Sequence, residues 1–158
     1  MPSTTSSTPL TIPLPYRILH LYLEPLMALN GAILCIFNPS LFLSTFSPTL
    51  RYTHSSQIIY DQLAATYVFL AFVEGVVLRA TTELRVWKTV LGGLLVCDVL
   101  HLLAGVRCMS EEGRLLGVRE WRVEDWIAVG TLLGPAAVRV AFLSGVGFAL
   151  GPNPSTGR

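Results

Sequence analysis

The sequence predicts an all-α fold, a four-helix transmembrane bundle with mobile ends. Three observations carry that prediction. Hydrophobic residues make up 52% of the 158 and charged residues only 13%, about half the charged share of a soluble domain. Residues 16–37, 59–78, 86–106 and 126–150 form four apolar stretches, each reaching the ~20 residues that cross a bilayer. Almost no polar face remains on any of them to cover a soluble core helix. The domain organisation follows: a disordered head over residues 1–15, one transmembrane domain over 16–150 and a flexible tail over 151–158. The head is rich in Ser, Thr and Pro and the tail reads GPNPSTGR, with too little apolar content to offset the entropy of ordering.

The first stretch is a span and not a cleaved signal, because Glu24 and Asn30 would spoil a signal's apolar core. Residues 38–58 carry NPS and SP but few charges, and are expected to lie along the interface. A short connection, 79–85, makes the second and third helices antiparallel neighbours. Residues 107–125, RCMSEEGRLLGVREWRVED, hold the densest charge and read as a solvated loop with a short interfacial helix. Trp121 and Trp126 suit a belt at headgroup level there. Lysines and arginines are balanced between the two sides (Arg17, Arg79, Arg85, Lys88 and Arg158 against Arg51, Arg107, Arg114, Arg119 and Arg122), so charge sets no orientation. A net charge of +1 gives no field to recruit nucleic acid. Cys35, Cys97 and Cys108, an odd number without CxxC spacing, fit neither a disulfide framework nor a zinc site.

The third span contains LLVCDVLHLL, where Asp98 and His101 interrupt an apolar run. Arg17, His20 and Lys88 lie near span ends and are expected to reach the interface. Asp61 lies at the opposite interface, within reach of water. That leaves Glu24, Glu74, Asp98, His101 and Arg139 at depth. At ~1.5 Å per residue Glu24 is ~12 Å in from the head side, Glu74 ~6 Å, Asp98 ~18 Å and Arg139 ~16 Å. A charge at mid-bilayer costs roughly 2.5–3.5 kcal/mol on insertion scales, so these groups must face inward and pair. The expected arrangement is a buried polar centre of Glu24, Asp98 and Arg139 with Glu74 and His101 at its edges. Pro25 cannot donate to the Leu21 carbonyl, and Pro135 likewise frees the Thr131 carbonyl. Both proline sites leave backbone acceptors near the polar centre.

Neither metal nor cofactor is expected. A carboxylate-bridged di-iron bundle needs Glu-x-x-His on two helices and two further Glu, and this sequence has one Asp-x-x-His. In the fourth span Gly130, Gly134, Ala137, Ala141 and Gly145 form a stripe of small residues, which permits close helix approach. Internal packing or a homodimer seam would each use it.

The segments PLPYRILHLYLEPLMALNGA, FVEGVVLRATTELRVWKTVLGGLLVCDVLHL and EDWIAVGTLLGPAAVRVAFLSGVG resemble a family of small fungal integral membrane proteins known chiefly as a domain of unknown function. The likeness covers about residues 11–150, and its most specific pieces are LYLEPL, LRVWKTVL and the D-x-x-H of Asp98 and His101. It implies a four-helix membrane protein and supplies no activity. A fainter likeness, in architecture and intramembrane acids alone, is to the four-helix emopamil-binding-protein group, which includes sterol isomerases.

Two functions are therefore expected candidates. One is a non-enzymatic bundle in an internal membrane, such as the endoplasmic reticulum, that binds a lipid-like or other hydrophobic small molecule or serves as a scaffold. The other is a membrane-embedded enzyme with acid–base chemistry on a sterol or terpenoid. In that case Glu24, Glu74 or Asp98 would move protons, and Arg139 or His101 would tune them. A transporter would need partners, since one four-helix protomer is small for alternating access.

Overall fold

The structure is a computed structural model and describes residues 11–148. Most of the expected mobile head and all of the expected tail lie outside these residues. Five helices make up the described chain. Four are long and apolar enough to cross a membrane: α1 (Leu14–Phe37), α3 (His54–Ala80), α4 (Leu84–Glu111) and α5 (Val123–Leu143). The fifth, α2 (Pro39–Phe46), is short and lies in the connection expected to follow the interface. It begins at a proline, with the Asn38 side chain accepting from the Leu41 N–H at 3.1 Å, a cap that replaces a missing intrahelical partner.

The spans pack as two pairs, α1 with α3 and α4 with α5, and α2 bridges them by lying on both α1 and α5. Gly31 lets the first pair approach closely: a side-chain carbon there would meet the Tyr67 ring at 3.2 Å. At the head-side end the pairs are locked together by one apolar core. Ile12, Tyr16, Leu21, Leu78, Trp87, Leu91, Leu94 and Phe142 meet there. The Tyr16 and Phe142 rings stand edge to face at 5.0 Å, a favoured aromatic geometry. Tyr16 also donates to the Val146 carbonyl at 2.8 Å, and the Trp87 indole donates to the Thr81 carbonyl at 3.0 Å. Ile12 thus belongs to the core, although the sequence assigns it to the head.

Two helices widen by one residue at the same level. In α1, residues Leu19–Leu23 form a π turn two residues before Pro25. The cause is local: Pro25 has no N–H, so the Leu21 carbonyl loses its helical donor and the turn opens. Arg79 from the end of α3 fills the vacancy, its Nη2 donating to the Leu21 carbonyl at 3.0 Å. In α3, residues Val73–Val77 form a second π turn. The two widened turns face each other, and a side-chain carbon added at Gly75 would touch Pro25 at 3.6 Å.

The opposite end is held by polar contacts. The fourth helix runs to Glu111, beyond the expected end, and the only helical piece in the following loop is the 3-10 turn Val118–Glu120. The Trp121 and Trp126 rings meet at a tilt, with centroids 5.0 Å apart. The small-residue stripe is shorter than the sequence suggests. Gly145 lies past the end of α5 in a turn at φ 81°, a conformation glycine adopts without strain. Side-chain carbons added at Gly130 and Gly134 would meet nothing within 4 Å, so these two glycines do not serve packing inside the described bundle.

Candidate functional site: a charged centre at the end of an apolar cavity

Arg139 extends from α5 into the bundle, 4% exposed, and holds one carboxylate from each of the other three spans. Its Nη2 donates to Glu24 Oε2 at 2.7 Å and to Glu74 Oε1 at 2.8 Å, and its Nη1 donates to Asp98 Oδ2. A guanidinium remains charged in any protein environment and offers five donors in one plane, so a single side chain can bind three acids. The π turns place two of them. Glu24 follows the first and Glu74 lies inside the second, a common setting for π turns in functional sites.

Two expectations are corrected here. Glu74 is not at the edge: it is 2% exposed and shares the same Arg139 nitrogen as Glu24. Its helix continues to Ala80, which places it deeper than a count from Leu78 suggests. His20 does not reach the interface either. It is fully buried among Tyr16, Trp87 and Phe142, and its Nδ1 lies 2.8 Å from Glu24 Oε2. The sequence signal for it was present: His20 and Glu24 are spaced i, i+4, and Tyr16 lies one turn before His20 on the same face. His101 stands apart on the wall of the site, its Nδ1 3.0 Å from the Cys97 carbonyl of its own helix.

His20, Glu24 and Glu74 bring one ligand-type atom each to within 4.8 Å of one another. Their chemistry does not suit a metal ion. Glu24 Oε2 already serves both His20 and Arg139, and Glu74 Oε1 serves the same guanidinium. A dication would stand directly against that fixed positive charge.

The charged centre forms one end of a cavity of about 530 Å³ that takes residues from all four spans and from α2. Along α1 it runs from Glu24 to Leu34, about 15 Å of helix. Apart from the charged end its walls are mainly apolar, including Met27, Phe42, Leu94 and Leu132. Leu26 and Met27 of α1 and Ile127 of α5 line it and are themselves exposed, so its mouth lies between α1 and α5. A second, apolar cavity of about 280 Å³ lies between α4 and α5 and shares Phe46, Ala128 and Leu132 with the first.

Fold and site together define a bundle of four helices of membrane-spanning length and apolarity, closed around one arginine and three acids. A family profile matches residues 10–149, nearly the whole chain, and the protein belongs to that family, the domain of unknown function DUF7704. No curated protein and no solved structure matches it.

Proposed function

We propose that this protein is a multi-pass membrane protein that binds a lipid-like molecule, with the molecule's polar end on the Glu24–Glu74–Asp98–Arg139 centre and its apolar body in the cavity. One observation carries the reading: the deep charges of the four spans converge at one end of an apolar cavity whose mouth opens between α1 and α5. Intramembrane charges are costly to insert and most often serve function, and pockets of 300–1,000 Å³ with few polar groups are the usual form of small-molecule sites. The resemblance to small fungal membrane proteins supports a fungal source, and an internal membrane such as the endoplasmic reticulum is part of the same reading. Lipid extraction and mass spectrometry of the purified protein test it. A hydrophobic species enriched over a control membrane protein is expected; a lipid profile equal to that of the bulk membrane overturns it.

An acid–base enzyme acting on a sterol or terpenoid is the second reading. Two glutamates that line the cavity end, one of them joined to the buried His20, favour it, since proton transfer needs a carboxyl group within hydrogen-bond reach of substrate. Conversion of the co-purified species on incubation selects this reading. Unchanged turnover in His101→Gln at matched protein level would remove His101 from the chemistry. A homodimer through Gly130, Gly134 and Ala137 is a further proposal about assembly: Gly134→Leu would then shift detergent-solubilised protein from dimer to monomer. A wild-type protein that is monomeric across detergents overturns that proposal.

A further inference from the structure

We infer that the polar end of the bound molecule is a hydroxyl group, which makes the ligand class a neutral hydrophobic alcohol. This inference rests on the ligand-binding reading above. Among the described residues, three buried side-chain atoms have no hydrogen-bond partner: His20 Nε2, Glu24 Oε1 and Arg139 Nε. Two of them belong to residues that line the cavity, Glu24 and Arg139, and both residues are more than nine-tenths buried. Glu24 Oε1 is a free acceptor, and Arg139 Nε is a free donor. They sit on groups already joined at 2.7 Å through Glu24 Oε2 and Arg139 Nη2, so the two vacancies are on adjacent groups.

An unfilled buried donor or acceptor carries its full desolvation penalty, and the ligand that relieves both vacancies gains most. An ammonium would fill Glu24 Oε1 but leave Arg139 Nε unpaired and face the guanidinium. A carboxylate would fill Arg139 Nε but leave Glu24 Oε1 unpaired and face three acids. An ether accepts and does not donate. A hydroxyl donates once and accepts twice, so it is the one of these groups whose valences match a free acceptor and a free donor together, without adding charge to the membrane interior.

Four probes of matched size separate these cases: dodecan-1-ol, dodecylamine, lauric acid and methyl undecyl ether. Each is added to the full-length protein in nanodiscs at equal mole fraction in the bilayer, and the shift in Tm is followed. Half-maximal stabilisation by the alcohol is expected at a mole fraction at least tenfold below that of the other three, the scale set by one unmet buried hydrogen bond. Thr131→Trp narrows the cavity at its lipid-facing side and leaves the charged centre intact, and should abolish the effect. Equal stabilisation by alcohol and ether, or a preference for amine or acid, overturns the hydroxyl while leaving the cavity as the binding site if Thr131→Trp still abolishes binding. Stabilisation that survives Thr131→Trp, or none from any probe, overturns the ligand-binding reading itself.

Discussion

Two arginine–carboxylate networks stand at different levels of the molecule, and they are built on opposite principles. The network at the loop end is balanced: Arg114 and Arg122 face Glu112 and Asp125. Arg114 binds Glu112 at 2.5 Å and Asp125 at 2.8 Å, while Arg122 binds Asp125 at 2.8 Å. Spare donors are used on backbone, the Phe46 carbonyl by Arg114 and the Ser44 carbonyl by Arg122. Ser47 and Thr49 add hydroxyl donors to Glu112. The Asp125 side chain also accepts from the Arg122 N–H at 2.9 Å, which closes the start of α5. The inner network is unbalanced, with three acids on one arginine, and every unpartnered buried side-chain atom among the described residues belongs to it or to its neighbour His20. A network whose valences are all used fastens a loop. One with valences left over, at the end of a cavity, is the feature on which the proposed ligand reading rests.

Substitutions in the two networks should differ in size, and the largest effect belongs to the inner one. Arg139→Leu strands the buried carboxyls of Glu24 and Glu74 and the half-buried one of Asp98, and breaking comparable buried pairs costs about 3–5 kcal/mol. It should lower Tm in detergent more than any change at the loop end, and adding Asp98→Asn should restore part of the loss. A single Arg139→Leu protein as stable as wild type would break the contrast. Asp125→Asn is expected to cost less, about 2 kcal/mol, because it removes a helix cap and weakens two pairs near water. Chemical denaturation of both variants side by side gives the ratio.

The third effect is a pH dependence confined to the loop end. Burial alone would raise the Glu112 carboxyl, but hydrogen bonds from Ser47, Thr49 and Arg114 outweigh it and hold the group below its ordinary 4.5. A carboxyl lowered in the folded state adds stability that is fully present above its unfolded value and lost as pH falls through the folded one. Thermal stability should therefore drop as pH falls below about 4.5, and Glu112→Gln should flatten that part of the profile. An unchanged profile in Glu112→Gln would remove the carboxylate from the loop-end network. The smallest effect is at the exposed pair Arg107–Glu111, 82% and 64% exposed. Arg107→Ala should leave Tm unchanged within error, since such pairs hold little against solvent and salt.

Much of the fold was legible because span length and apolarity are properties of composition along the chain. Four helices follow from the four stretches, and their inward charges follow from the cost of burying them in lipid. Pro25 was legible as well: a missing N–H frees the Leu21 carbonyl. Which group would fill that vacancy was not, because Arg79 is 58 residues away and only the packed fold brings it there. Glu74 and His20 were misplaced for one reason. A uniform rise counted from the ends of the apolar runs ignores both the π turns and helices that extend past those runs, such as α3 to Ala80 and α1 from Leu14. The network of Ser47, Glu112 and Asp125 was legible only in part: Arg122 and Asp125 are spaced i, i+3 in the most charged segment, but Ser47 and Glu112 are 65 residues apart and only the packed fold joins them.

The claim that the unbalanced centre ends a lipid-accessible binding cavity can be tested directly by photolabelling. A membrane-soluble alkyl diazirine is activated on the full-length protein, and labelled residues are mapped by peptide mass spectrometry. Competition with excess untagged alcohol of the same length separates the site from the general lipid surface. Labelling at Met27, Thr131 and Leu132 that the competitor removes, beside undiminished labelling at the exposed Val96, Leu100 and Val140, is the predicted result. Labelling that the competitor reduces equally at all six positions, or no labelling of the cavity residues, would contradict the account.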